Sequence, residues 1–245
     1  MSEPRKIAFY LPNLFTALNM ACGFAAIIFA FKGNFYSSCI AILLGVVFDS
    51  VDGRVARLTG TTSAFGEQFD SLSDLVSFGL APAIIFYLRF LSSFGRLGLV
   101  LSFLFLLSGA LRLARFNANV HKVNPNFFQG LPIPSGAVAL VGLVLLSLSF
   151  PFSELITRFT SLYILFYAVL MISTIPFPSF KNSIWVKQHK KQVLFLMFLI
   201  LATSFIYEEI MILVWLSLYV ISSMLFAFFN REKISIIEWH DETEE

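Results

Sequence analysis

The sequence predicts an all-α fold, a polytopic bundle of about eight membrane-spanning helices in one domain over residues 1–245. Three observations predict it. The chain is 58% hydrophobic and 13% charged, with a mean hydropathy of +0.82, which an ordinary soluble domain of this length does not reach. Its apolar residues gather in runs close to the ~20 residues that cross a hydrocarbon core at ~1.5 Å per residue. Polar turns bearing Gly, Pro or Asn separate those runs.

Residues 1–10 carry Arg5 and Lys6 beside Ile7, Phe9 and Tyr10, a mixture that suits a short segment lying at the membrane surface or a frayed terminus. Pro12 precedes the first span, Leu14 to Phe31, which Lys32-Gly33-Asn34 closes. That run exceeds a signal-peptide core and shows no clear cleavage site, so it is expected to remain in the mature chain. A second span runs from Phe35 to Arg57, a glycine-bearing turn from Thr59 to Gly66, a third span from Phe69 to Leu91 and a fourth from Gly95 to Phe116. The longest polar connection, Asn117 to Pro134, is of a size that is often functional within a compact bundle. Later spans are expected at Ser135–Phe150, Leu155–Ile175, Gln192–Tyr207 and Ile210–Phe229. The bundle thus covers 14–229, followed by a polar tail at 230–245. Gly136, Ala139 and Gly142 give the fifth span a small-residue face suited to close helix packing.

Eight spans make a charge test possible. With both ends on one side, thirteen of the seventeen Lys and Arg residues share that side and only Lys32, Arg89, Arg96 and Arg158 lie opposite. This bias orients the rich side, with Arg54, Arg57, Arg112 and Arg115, toward the cytoplasm, and puts Glu208 and Glu209 outside. The formal charge of +2, without a basic stripe, gives no sign of a nucleic-acid surface. Cys22 and Cys39 lie in apolar runs and read as small buried hydrophobes, while His121, His189 and His240 are too dispersed to form a site.

The chemistry concentrates between the second and third spans. Asp49, Asp52, Gly53, Ala56 and Arg57 end one apolar run; Gly66, Asp70 and Asp74 begin the next. In helices, the spacing of three puts Asp49 and Asp52 on one face, and the spacing of four does so for Asp70 and Asp74. Asp49 falls roughly 21 Å into its span, near one interface. Four carboxylates at such a place cannot stay unpaired, and divalent cations are the simplest remedy. Oxygen ligands of this kind select Mg²⁺ or Mn²⁺, with Ca²⁺ as a further occupant, and no Cys or His argues for zinc.

These eight residues match every position and gap in the signature of the CDP-alcohol phosphotransferases, and the chain resembles that family. Pro12 to Asn19, Ala110 to Asn117 and Phe128 to Pro134 are similar to its phosphatidylserine synthase branch; the likeness is carried by roughly the first 140 residues. The resemblance implies an enzyme of phospholipid biosynthesis that transfers the phosphatidyl group of CDP-diacylglycerol to the hydroxyl of L-serine, releasing CMP. It implies metal binding by Asp49, Asp52, Asp70 and Asp74, with Asp74 also the base that takes the hydroxyl proton. CDP-diacylglycerol is expected against Asp49, Asp52, Gly53, Ala56, Arg57 and Gly66, with Arg57 on a phosphate oxygen. Arg112 and Arg115, three apart on one face, are candidates for the serine carboxylate or for a lipid phosphate; positive-inside anchoring is their other reading. The resemblance further implies a homodimer in the cell membrane with its site toward the cytoplasm.

Three other readings stand beside this one. Glycerol 3-phosphate or inositol phosphate as acceptor would call for a denser basic pocket than one arginine pair. A cation transporter or channel would account for intramembrane acids, but all four lie near one face. A structural role would bury unpaired charge with no gain in stability.

Overall fold

The computed structural model describes residues 6–61, 63–119, 127–178 and 189–229. Among them are eight helical segments and one two-stranded sheet. The helices are α1 (Lys6–Phe31), α2 (Phe35–Thr59), α3 (Ala64–Phe94), α4 (Arg96–Asn119), α5 (Ile133–Ser149), α6 (Glu154–Ile172), α7 (Lys190–Ile206) and α8 (Glu208–Phe229). Five stretches, Leu11–Phe31 in α1, α3, α4, α6 and Glu209–Phe229 in α8, are long and apolar enough to cross a membrane. The chain is thus an all-α, multi-pass membrane protein.

Two boundaries differ from expectation. The first helix begins at Lys6 and carries Pro12 inside it, with the Thr16 hydroxyl oxygen 3.2 Å from the Pro12 carbonyl oxygen. Residues 6–10 therefore belong to α1 and are not set apart by the proline, whereas residues 1–5, like the tail from 230, lie outside the described residues. The turn after α2 is also shorter than expected. Gly60 ends α2 in the left-handed conformation, φ 64° and ψ 27°, its N–H donating to the Ala56 carbonyl. Ser63 then caps α3, its hydroxyl accepting from the Gly66 N–H at 3.1 Å. Gly66 thus sits in the first turn of a helix and not in the connection.

The third span is one helical run of mixed pitch. It is α-helical over Ala64–Asp74, π-helical over Leu75–Leu80, α-helical again over Ala81–Phe86, then π-helical over Tyr87–Leu91 before a 3₁₀ turn at Ser92–Phe94. The wider turn begins immediately after Asp74 and ends where the Ala81 N–H reaches back five residues to the Val76 carbonyl. Asp70 and Asp74 themselves stand in regular α-helix, so their spacing of four does place them on one face.

α1 lies along α2 and touches α3, while α5 packs between α2 and α8. The core is apolar and tightly filled, with Phe78, Phe86, Phe105, Ile133, Leu140, Leu145 and Ile164 fully buried. The small-residue face of α5 is used inside the bundle. A Cβ on Gly136 would stand 3.2 Å from Met171 of α6, and one on Gly142 would stand 3.0 Å from Leu213 of α8. Helix ends expected to share a side do meet. β1 (Phe127–Gln129), ahead of α5, pairs antiparallel with β2 (Pro176–Pro178), beyond α6. At the other side, Arg89 of α3 donates to the hydroxyl and carbonyl of Ser147 at the end of α5, at 3.0 and 2.9 Å.

Candidate active site

The antiparallel pair α2 and α3 brings the four aspartates together. Carboxylate oxygens of Asp49, Asp70 and Asp74 all lie within 4.8 Å of one another. Asp52 stands beside this trio, buried, with its Oδ2 accepting from the Thr16 hydroxyl at 3.1 Å. Asp74, also buried, accepts at Oδ1 from the Asn19 amide at 3.2 Å.

Among the described residues, no Lys or Arg comes within ion-pair distance of any of the four aspartates. Oδ1 of Asp70 is buried and has no hydrogen-bond partner. Converging carboxylate oxygens, one of them orphaned, are the donor set that a hard divalent cation takes, so these residues fit such an ion.

A cavity of ≈ 340 Å³ opens against the cluster. Asp52, Gly53, Ala56 and Arg57 of α2 line it, facing Gly66 and Asp70 of α3, with Pro12, Asn13 and Thr16 of α1 and Phe116 and Asn117 of α4 completing its walls. Asp49 and Asp74 do not line it. The two glycines differ in kind. A Cβ on Gly53 would meet nothing within 4 Å, so helix packing does not explain that glycine; a Cβ on Gly66 would stand 3.2 Å from the Ser63 hydroxyl and 3.4 Å from the Asn13 amide oxygen. Gly53 keeps the cavity wall open, whereas Gly66 lets the α3 cap close against α1.

The two arginines of α4 part company. Arg112 is buried, with Asp74, Arg115 and Tyr219 of α8 as its charged or titratable neighbours, and its Nε has no partner. Arg115 instead donates to the carbonyls of Ile172, Met171 and Ser173 at 2.9, 3.4 and 3.3 Å, capping the end of α6.

A family model for CDP-alcohol phosphatidyltransferase matches residues 9–177. The chain belongs to the CDP-alcohol phosphatidyltransferase family. It is 40% identical over 227 residues, 92% of this chain and 94% of the relative, to a CDP-diacylglycerol–serine O-phosphatidyltransferase of Helicobacter pylori strain J99. A protein of the same name from Methanocaldococcus jannaschii is 42% identical over 173 residues, covering 70% of this chain and 75% of its own. The archaetidylserine synthase of Methanothermobacter thermautotrophicus is 40% identical over 182 residues, 73% of this chain and 74% of the relative. The phosphatidyltransferase likeness therefore extends beyond the first 140 residues, and the family match spans all four aspartates and both arginines of α4.

Sequence reasoning assigned no role to Thr16, Asn19, Phe116 or Asn117. A signal for the first two was present. Asn13, Thr16 and Asn19 recur every three residues through an otherwise apolar span, where polar side chains mark an inward face. Phe116 and Asn117 close the Ala110 to Asn117 stretch that resembles the family, but only the fold shows that the end of α4 returns to the cavity and joins the Asn117 amide to the Ser71 hydroxyl at 2.9 Å.

Proposed function

We propose that this chain transfers the phosphatidyl group of CDP-diacylglycerol to the hydroxyl of L-serine, giving phosphatidylserine and CMP. The observation that carries the reading is a cluster of four carboxylates, without a cationic partner, set against a cavity walled by bare backbone at Gly53 and by Arg57. The names of the relatives support serine as the acceptor.

Asp49, Asp52, Asp70 and Asp74 would hold two divalent ions, Mg²⁺ or Mn²⁺, which when bound neutralise the pyrophosphate and the departing phosphate. Gly53, Ala56 and Gly66 admit the nucleotide, and the Arg57 guanidinium donates to a phosphate oxygen. Asp74, held by Asn19, accepts the serine hydroxyl proton as the hydroxyl oxygen bonds to the diacylglycerol-bearing phosphorus. The bond from that phosphorus to the CMP phosphate oxygen breaks, and the oxygen keeps the electron pair. Arg112, buried beside Asp74 with Nε unpartnered, takes the serine carboxylate or a lipid phosphate; Arg115 is the weaker candidate because its donors already serve α6.

The basic-residue bias supports a site facing the cytoplasm from the cell membrane. A homodimer rests on the family resemblance alone, since Gly136 and Gly142 pack within the chain. CMP release from CDP-diacylglycerol in detergent with Mn²⁺ tests the whole reading, using serine, glycerol 3-phosphate and inositol phosphate at equal concentration. Serine-dependent release is expected; preference for a phosphate-bearing acceptor overturns the serine assignment, and no release with any of the three overturns the reaction class.

A further inference from the structure

From the first helix, which carries none of the four aspartates, we infer that Thr16 and Asn19 are the positioning residues of the acidic cluster. Each aspartate-bearing helix has one carboxylate tied to α1. The Thr16 hydroxyl lies 3.1 Å from Oδ2 of Asp52 on α2, and the Asn19 Nδ2 lies 3.2 Å from Oδ1 of Asp74 on α3. Both side chains are buried, Asn19 completely. A carboxylate only accepts, so a carboxamide facing it must present nitrogen, which fixes the way Asn19 points.

Contacts in the reverse direction tie α3 to the backbone of α1 at the same two residues. The Ser73 hydroxyl donates to the Thr16 carbonyl at 3.0 Å and the Ser77 hydroxyl to the Asn19 carbonyl at 2.8 Å. Small residues hold the three helices at this separation. A Cβ on Gly23 would fall 2.6 Å from the Ser77 Cα, and one on Gly45 of α2 would stand 3.0 Å from the Asn19 Oδ1. Any residue larger than glycine at position 45 would therefore press on the Asn19 carboxamide. Each positioned carboxylate keeps its second oxygen for other partners: Oδ1 of Asp52 and Oδ2 of Asp74 are not taken by α1. The arrangement is that of residues behind a metal site that orient its ligands.

This inference rests on the proposed cation-binding role of the aspartates, and its test separates the two. Mn²⁺ binding to the purified full chain is measured by electron paramagnetic resonance without substrates, alongside kcat and KM for CDP-diacylglycerol. The variants are Asn19→Leu, which keeps the branched shape without the donor, and the pair Thr16→Val and Thr16→Ser. Elution as a single species and an unshifted thermal transition qualify each variant as folded. Removing a residue that orients metal ligands costs roughly 10- to 100-fold in affinity or activity. We expect a loss of that size in Mn²⁺ affinity for Thr16→Val, restored by Thr16→Ser, and in kcat for Asn19→Leu, with KM for CDP-diacylglycerol little changed in the latter. Mn²⁺ affinity and kcat within twofold of the unaltered protein in Thr16→Val and Asn19→Leu overturn the inference, as does equal impairment of Thr16→Val and Thr16→Ser. Should Asn19→Leu not fold, the Thr16 pair decides alone. Absence of Mn²⁺ binding by the unaltered chain overturns the cation reading instead.

Discussion

Replacing Gly53 by alanine is expected to stabilise the protein and impair it together. Gly53 is absent from the glycines of positive φ and lies in the interior of α2, where an added Cβ meets nothing within 4 Å. Alanine therefore fits without strain, and the helix gains about 0.8–1.0 kcal/mol from propensity. For a chain of this size that raises the thermal midpoint by roughly 2–4 °C. The same methyl enters the cavity wall between Asp52 and Arg57. If the nucleotide lies against that wall, overpacking by one methyl costs about 1–3 kcal/mol, which lowers kcat/KM for CDP-diacylglycerol by roughly 5- to 150-fold. Thermal unfolding in detergent and steady-state kinetics in mixed micelles read the two effects separately. A lower midpoint would show that Gly53 is packed after all, and a kcat/KM within twofold of the unaltered protein would show that nothing approaches its backbone.

Exhaustive chelation should abolish CMP release and added Mg²⁺ or Mn²⁺ restore it, because among the described residues no Lys or Arg forms an ion pair with any of the four aspartates; full activity in the chelator overturns this. Asp74→Asn should lower kcat by roughly 10²- to 10⁴-fold with CDP-diacylglycerol binding mostly kept, whereas Asp49→Asn should weaken that binding as well; equal loss of binding in both reduces Asp74 to a metal ligand. Arg112→Ala should raise KM for serine by roughly 10-fold or more, as expected for a lost charged hydrogen bond. Arg115→Ala should instead leave that KM alone and cost about 1–2 kcal/mol of stability, since its donors hold the carbonyls of α6; thermal unfolding of the two variants separates the roles.

Hydropathy and carboxylate spacing made the helices and the cluster legible, because both signals are local. Runs of apolar residues must be helical in lipid, and Asp49 with Asp52, or Asp70 with Asp74, share a face whenever their segments are helical. What spacing could not show was which other helix faces the cluster. Thr16 and Asn19 reach it because α1 lies against both α2 and α3, a relation of tertiary packing. Arg112 and Arg115 illustrate the same limit. Three residues apart, they look equivalent in sequence, yet one is buried beside Asp74 and the other turns to the end of α6. The boundary of α3 was misjudged for a local reason, since the Ser63 cap starts the helix in a polar stretch that hydropathy reads as a turn.

The two acid pairs also differ in depth, and that difference orders the site. α2 ends at Thr59 and α3 begins at Ala64, so the helices run antiparallel from a common turn. Asp52 stands about 10 Å along α2 from that turn and Asp70 about 9 Å along α3, while Asp49 and Asp74 each lie about 15 Å away. Sequence distances on the two arms are nearly equal, so the carboxylates gather in one narrow zone, with oxygens of Asp49, Asp70 and Asp74 all within 4.8 Å of one another. The shallow pair lines the cavity and the deep pair does not. In the proposed reaction a lipid-linked pyrophosphate in the cavity would lie against Arg57, Asp52 and Asp70, which puts these on the nucleotide side. The proposed proton transfer from serine would then fall to Asp74, which lies off the cavity wall with the Asn19 amide holding its Oδ1. Asp74 is buried and away from the cavity lining, and a base kept from water in this way would favour transfer to the serine hydroxyl over hydrolysis.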